Sequence, residues 1–579
     1  MIAGTETNRR TFTPDKFQVW CGVILAVMAL NLVTVTLRKS ITTDEIVLIP
    51  SAYYHLVADE LHLIGQHPPL CKWLAGLPLL LLQPEEWRPA KIDPAGPPDQ
   101  DEWSYNMHFW RDNRPLFATI CLLARLPMIV LTLALGVLVF VFARDLFGPR
   151  AGVFAVLLFA MEPTVLAHGR IVQTDIPAAF GLLLSIFALY RYIQRPSGRL
   201  AAGVGAAVAI AMLAKYSMLV VGPAFLLVLL ALLWFHPQHR RKLALDGLIA
   251  AAVLLLLINA AYFFHHRALT EGDLKWIATT FSESAAAVTA AVRAMRLPLP
   301  TDFVMGVYWQ LHHGKVGHPA GLLGTYSNHG WWYYFPVAFA LKATIPFLIL
   351  SLASLWWAAR RVLVERERRW LWLLVPFAVY TGLLMKSPIN IGVRYYLPGY
   401  MFLVILAGCL LDFLLQTATS GSRRRYCLVA VALTMSWISL EAIRAYPNYV
   451  PYLNQLAFAH PHWWYLSDSN VEWGDDARGL AEYLHGHGEN RVRGLLLGAF
   501  ATLDFYQINY VDALGASPEP PPRYTALGAS FLNGSTVPPY EKDGKPVPDA
   551  VRIDSFQSYR DRKPEAIIGG SIYLYRERD

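Results

Sequence analysis

The sequence predicts an all-α polytopic membrane protein with a small α/β domain outside the bilayer. Three observations predict it. Only 16% of the 579 residues are Asp, Glu, Lys or Arg, while 55% are hydrophobic; an ordinary soluble domain carries about 25% charge. Apolar runs long enough to cross a bilayer, roughly 17–25 residues each, recur from near the N-terminus to residue 445. Basic residues fall in short clusters at every second loop between those runs, as a single fixed orientation requires. The net charge of +8 would also suit a nucleic-acid binder. No stripe or face collects these charges, so that class is excluded.

About eleven spans are predicted, near 18–37, 117–142, 151–167, 177–193, 201–215, 218–235, 244–264, 331–357, 370–386, 396–416 and 426–444. Arg9, Arg10 and Lys16 precede the first run, and Leu37-Arg38-Lys39 follows it without a small-x-small cleavage site. It therefore reads as an uncleaved first helix. Lys215-Tyr216-Ser217 divides the stretch 201–235 into a tight helical pair. Basic clusters at Arg144/Arg150, Arg191/Arg195/Arg199, Arg240/Arg241/Lys242, Arg360/Arg361/Arg366/Arg368/Arg369 and Arg423/Arg424/Arg425 mark the cytoplasmic loops. The N-terminus is then cytoplasmic and the C-terminus lies on the other side of a bacterial inner membrane.

This divides the chain into a transmembrane part, 1–445, with outer loops 38–116, 168–176, 265–330 and 387–395, and an outer domain, 446–579. In the first outer loop Leu74–Leu82 is apolar but too short to span and is placed at the interface. The stretch 90–101 is rich in Pro, Asp and Gly. The tail combines a predicted helix (Asp476–Leu484), strand-like runs (Arg493–Phe500 and Ala566–Tyr575) and the Pro-rich Pro518–Pro522. The five cysteines, Cys21, Cys71, Cys121, Cys409 and Cys427, show neither metal-ligand spacing nor a disulfide framework.

Chemistry-bearing residues concentrate in the outer loops. Thr42-Thr43-Asp44-Glu45 follows the first span. A carboxylate there can serve as general base toward an acceptor hydroxyl, and Thr42 with Glu45 also has the spacing of a helix capping box. The two readings combine if Glu45 caps and Asp44 faces a cleft. In His67-Pro68-Pro69-Leu70-Cys71-Lys72 the prolines fix the start of the interfacial helix, and Lys72 is placed to attract a phosphate or to snorkel. In the second loop, from His168, Arg170 is a candidate phosphate clamp. Asp175 stands where an N-cap would, before Pro177. Lys215 and Arg394 are charges at the membrane border, where they must reach water or an anion. His265, His266, His312, His313, His318 and His329 enrich the 265–330 loop, but in no metal-ligand spacing. No cofactor is singled out, and a divalent cation is left open.

In order along the chain, Asp44-Glu45, His67-Pro68-Pro69-Leu70-Cys71-Lys72, Arg170 to Asp175, Ala214-Lys215-Tyr216-Ser217, Gly330-Trp331-Trp332-Tyr333-Tyr334-Phe335-Pro336, Arg394-Tyr395-Tyr396-Leu397-Pro398 and Asp468-Ser469-Asn470-Val471-Glu472-Trp473-Gly474-Asp475-Asp476 resemble segments of the protein O-mannosyltransferase family, glycosyltransferase family 39. The resemblance extends to its bacterial relatives, the lipid A aminoarabinose transferases among them. It implies a GT-C fold and an inverting, single-displacement transfer of a hexose, mannose being the first to consider, from a polyprenyl-phosphate carrier. The acceptor would be a protein, lipid or glycan on the outer face. It further implies Asp44, Glu45 and Asp175 as the catalytic acids. His67, Lys72, His168, Arg170, Lys215, Arg394 and Tyr395 would be around carrier phosphate and sugar, and Asp468, Asn470 and Trp473 on the acceptor side. His67 stands where aminoarabinose transferases tend to carry lysine, and the 265–330 loop is too short for the large insertion of eukaryotic protein mannosyltransferases. The rival class is a secondary transporter or lipid flippase. It predicts paired repeats and broken helices at mid-membrane, and no repeat is visible.

Overall fold

The computed structural model describes residues 15–58, 60–87, 102–281, 284–295, 298–418, 421–498, 502–516, 519–542 and 544–577. Arg9, Arg10, the stretch 90–101, Phe500 and Pro518 lie outside the described residues. Among the described residues, eight helices are long and apolar enough to cross a membrane. They are Lys16–Arg38, Arg114–Phe147, Asp175–Gln194, Tyr216–Phe235, Pro237–Ala261, Ile345–Leu363, Val393–Thr417 and Gly421–Ala445. The chain is a multi-pass membrane protein of mostly helical build. The runs at 151–167, 201–215 and 370–386 instead form shorter helices, Pro149–Met161, Gly198–Ala214 and Leu371–Met385. Glu162-Pro163 restarts the first of these as a separate turn, Pro163–His168, since proline fits a first helical turn better than an interior. Lys215, in extended backbone, stops the second.

Burial orders the bundle. The apolar window of Val393–Thr417 is 89% buried and that of Tyr216–Phe235 only 11%. The first is the central post and the second a peripheral helix, which turns Leu226, Leu227, Leu230 and Trp234 outward. Between apolar helices in lipid, small residues let backbones approach. A Cβ on Gly408 would come within 2.5 Å of Ala155, one on Gly181 within 2.5 Å of Ala211, and one on Gly205 within 2.2 Å of Ala250.

The outer loops are structured. The first carries helices Thr43–Val57, Leu70–Gly76, Leu79–Leu82 and Glu102–Asp112. The predicted interfacial helix is thus two pieces, with Pro78 at the N-cap of the second. The third carries Glu271–Thr280, Ala285–Met295 and Thr301–Val316, then the hairpin Ala320–Leu322/Thr325–Ser327.

The tail builds a five-stranded sheet in the spatial order Asn509–Asp512, Arg491–Leu495, Tyr524–Gly528, Ile572–Arg576, Ala566–Ile568. The first three strands run parallel and the last two pair antiparallel. Helix Ala477–Gly486 packs on it through Leu480 and Leu484. The run 566–575, read as a single strand, is a hairpin. Gly569 and Gly570 take φ of 61° and 86° between its arms, a region glycine enters without the Cβ penalty.

The segment 468–476 interlocks with the first outer loop. The amides of Ser40 and Thr43 donate to the carbonyls of Asp475 and Trp473, each at 2.9 Å. Lys39 pairs with Asp476, and Lys342 Nζ donates to the Asn470 carbonyl at 2.7 Å.

Candidate active site

Thr42 caps helix Thr43–Val57, and Glu45 accepts back from the Thr42 amide at 2.8 Å, so the capping box is formed. A helix start places residues N2 and N3 on different faces, and here the faces differ completely. Glu45 is fully buried. Its Oε1 accepts from Arg125 Nε at 2.7 Å and from the Val172 amide at 3.0 Å, and its Oε2 takes Arg125 Nη2 at 2.5 Å. Every lone pair that could take an acceptor's proton is occupied. Asp44 is 28% exposed and opens into a cavity of about 370 Å³.

That cavity gathers several of the residues the sequence singled out. Asp44, His67, Lys215, Arg394 and Tyr395 line it, with Gln66, Gln173, Thr174, Trp309, Gln310, His313 and His318. Arg394 Nη1 lies 2.5 Å from Asp44 Oδ2 and 3.9 Å from Asp175 Oδ2. Trp473 Nε1 donates to Asp44 Oδ1 at 3.4 Å, and the Arg394 guanidinium lies 4.3 Å from the Trp473 ring centroid. Lys215 Nζ pairs with Asp175 Oδ1 and sits 3.4 Å from the Tyr395 ring centroid. Burial alone would raise the Asp44 carboxyl, but the adjacent Arg394 guanidinium outweighs it and holds the acid below its ordinary value. Burial pushes the His67 imidazole down to about 4, with Lys72, Lys215 and Arg394 adding to the effect, so the ring is neutral near pH 7.

Asp175 does not cap its helix. Thr174 is the N-cap residue and makes no side-chain cap bond. The Asp175 carboxylate is instead spent on Lys215, leaving Oδ2 without a hydrogen bond toward Arg394.

Burial sets four of the expected site residues apart from the cavity. Glu45 has both carboxylate oxygens filled, as given above. Lys72 is 2% exposed and donates to the carbonyls of Leu63 at 3.3 Å and Ile64 at 3.0 Å, so it anchors a loop and does not line the cavity. Arg170 is 1% exposed and donates to Asp475 Oδ2 at 2.7 Å; it holds the 468–476 segment and also stands off the cavity wall. His168 is buried with its ring edge-on to Trp473.

The outer-domain residues divide likewise. Trp473 touches Asp44. Asn470 is buried, accepts from the Val393 amide at 2.9 Å and donates to Tyr334 OH at 2.8 Å, which fixes the turn carrying Arg394. Asp468 lines a second cavity. Sequence reading missed Gln66, Trp309 and Gln310. Helix Thr301–Val316 brings the latter two over the cavity, and Gln310 Nε2 donates to the Gln66 carbonyl at 3.3 Å. From this histidine-rich loop, His313 and His318 reach the cavity lining. Among the described residues no group of three or more His, Cys, Asp or Glu is placed to hold a metal ion.

Beside the polar cavity, an apolar groove of about 450 Å³ runs between helices Asp175–Gln194, Val221–Phe235 and Leu371–Met385, past Leu182, Ile186, Phe225 and Val379. Tyr380, on its wall, donates to the Tyr395 carbonyl at 2.7 Å, which sets one end of the groove next to the polar cavity.

Residues 116–265 match the model of the family described as dolichyl-phosphate-mannose-protein mannosyltransferase. That segment contains Arg170, Asp175 and Lys215, while Asp44 and Arg394 lie outside it. No curated protein matches. Among solved structures, the protein O-mannosyltransferase complex of S. cerevisiae bound to the sugar donor is similar at 11% identity and a TM-score of 0.51, over 76% of this chain and 90% of that one. The ArnT of Cupriavidus metallidurans bound to undecaprenyl phosphate aligns at 14% identity and 0.47, over 92% and 97%. The Archaeoglobus fulgidus oligosaccharyltransferase in the apo form aligns at 11% and 0.48, over 89% and 71%. The resemblance to glycosyltransferase family 39 therefore holds, in the matched segment 116–265 and in a GT-C fold.

Proposed function

We propose that this chain is an inverting glycosyltransferase that moves a hexose, mannose being the first to test, from a polyprenyl-phosphate carrier to an acceptor hydroxyl on the outer face of a bacterial inner membrane. The observation that carries the reading is the meeting of one partly exposed carboxylate, Asp44, with two cations, Lys215 and Arg394, in a cavity that adjoins an apolar groove. A lipid-linked sugar phosphate has that same succession of apolar tail, anion and polyol.

In the proposed step, Asp44 takes the proton of the acceptor hydroxyl as its oxygen attacks the sugar C1. The C1–O bond to phosphate breaks, and polyprenyl phosphate leaves. Arg394 and Lys215 meet the charge that develops on the leaving phosphate; fixed cations aimed at developing charge are a large source of rate enhancement. These cations pair with Asp44 and Asp175. An arriving phosphate would draw Arg394 off Asp44 and so raise its basicity when the donor is in place. Neutral His67 and the amides of Gln66, Gln173 and Gln310 are suited to sugar hydroxyls.

The test incubates purified protein in nanodiscs with a panel of polyprenyl-phosphate sugars, with and without membrane extract as acceptor, and follows free polyprenyl phosphate by mass spectrometry. Release that depends on one sugar and disappears in Asp44→Asn is the expected result. Release from no donor by folded protein would overturn the reading.

A further inference from the structure

We infer that a second cavity, between the tail and the 316–328 segment of the third outer loop, is a subsite for a neutral saccharide portion of the acceptor. The inference rests on the transferase reading and names the acceptor class that reading leaves open. The cavity holds about 470 Å³, within the range of small-molecule sites. His318 lines both this cavity and the one containing Asp44, so the two share a wall.

Its lining is prepared for hydrogen bonds that the chain itself does not complete. Ser535 Oγ and Thr536 Oγ1 are closed off from solvent and find no hydrogen-bond partner among the described residues. Native structures seldom leave such groups unsatisfied, and each one asks for an explanation. Asp468 sits at φ 54°, a left-handed conformation uncommon outside glycine, held by its carbonyl accepting from the Val471 and Glu472 amides at 3.0 Å each. Its carboxylate accepts from the Ser469 amide at 2.6 Å through Oδ1, and Oδ2 is left over. Backbone strain of this kind gathers at ligand sites.

Charge narrows the ligand. The guanidinium of Arg552 is consumed by Asp549 Oδ1, at 3.0 and 3.2 Å, and by the Val537 carbonyl. With that cation engaged and no ion pair to Asp468 among the described residues, the wall favours hydroxyl donors over a phosphate or carboxylate. Vicinal hydroxyls of a sugar can donate to Asp468 and Asn328, and the closed-off hydroxyls of Ser535 and Thr536 join them only on a shift of their turn. An extended peptide would instead look for a free strand edge along a groove.

The test is binding, read by saturation-transfer NMR on the full chain in nanodiscs, with maltose and cellobiose as neutral probes. Glucose 1-phosphate and a serine-rich peptide serve as the contrasting ones. Saturation should pass to the disaccharides, fall about tenfold in Asp468→Ala and in the cavity-filling Thr536→Trp, and persist in Asp44→Asn. Melting temperatures identify either variant that fails to fold, and the other then carries the comparison. No transfer to the disaccharides, transfer that both variants leave intact, or preference for the phosphate or the peptide would each overturn the inference. Donor release is measured separately. Disaccharide binding without donor release sinks the transferase reading alone, and donor release without disaccharide binding sinks the subsite alone.

Discussion

Asp44 and Glu45 are neighbours in the chain, and each meets an arginine at 2.5 Å. Around Glu45 the arrangement is closed: Arg125 and Glu45 are 1% and 0% exposed, and main-chain and side-chain donors fill both carboxylate oxygens. Around Asp44 it is open: the acid is 28% exposed, its second oxygen has only a long bond from Trp473, and the arginine is shared with Asp175. Two ionic regions built from the same residue types thus have different standing. A pair with every lone pair used contributes to the framework. A pair with surplus bonding capacity beside a cavity can exchange its partner for a ligand.

The sharpest way to break this comparison is to neutralise each acid in turn. Asp44→Asn keeps size and shape. It should lower transfer by about 10²–10⁴-fold, the usual contribution of a general base, while the melting temperature stays at the wild-type value. Retained turnover would remove Asp44 as the base. Glu45→Gln should do the opposite. Removing one member of a buried pair strands Arg125 and costs about 3–5 kcal/mol, read as a large fall in melting temperature, with transfer per folded molecule changed far less. If Glu45→Gln left stability unchanged and abolished turnover, the assignment of the two acids would have to be exchanged.

How much of this was legible in the sequence follows from the same distinction. Apolar runs report the bilayer directly, and seven of the eight long helices fall where the runs are, while the run 331–357 breaks at Ala343-Thr344 into Tyr334–Lys342 and Ile345–Leu363. Local signals also held: Thr42 with Glu45 forms the capping box. Which charges share a cavity was not legible, because it depends on contacts far apart in the chain. Arg170 has every attribute of a phosphate clamp, and the structure pairs its Nη2 with Asp475, 305 residues away, while Nε and Nη1 find no partner among the described residues. Lys72 looks interfacial until the carbonyls of Leu63 and Ile64 are seen to hold it. Trp309 and Gln310 carried no signal, since a helix over a cavity and a helix facing water can share a polar pattern.

A finer test uses pH on the open pair. Arg394 keeps the Asp44 carboxyl below its ordinary value against the opposing effect of burial. The base form therefore persists as pH falls into the usual carboxylate range near about 3.9, and the rate is lost only below it. In Arg394→Gln, burial acts unopposed by that cation, so the acid limb of kcat/KM should move to higher pH, in addition to a loss of rate from the missing phosphate partner. A rate loss with an unmoved limb would separate Arg394 from Asp44 and leave it a phosphate ligand only.

The smallest effect sharpens the boundary between framework and site at Lys72. Burial lowers this ammonium to about 8, and its bonds go to two loop carbonyls instead of the cavity. Lys72→Met keeps the apolar stem and removes those bonds. It should cost about 1–3 kcal/mol of stability, seen as a modest drop in melting temperature, and leave the KM for the lipid-linked donor within about twofold of wild type, since a contact absent from the site contributes nothing to binding there. A tenfold rise in donor KM at unchanged melting temperature would place Lys72 on the carrier phosphate. It would also mean that the loop 61–64 rearranges when donor binds, because only release of the Leu63 and Ile64 carbonyls could bring the ammonium to the cavity.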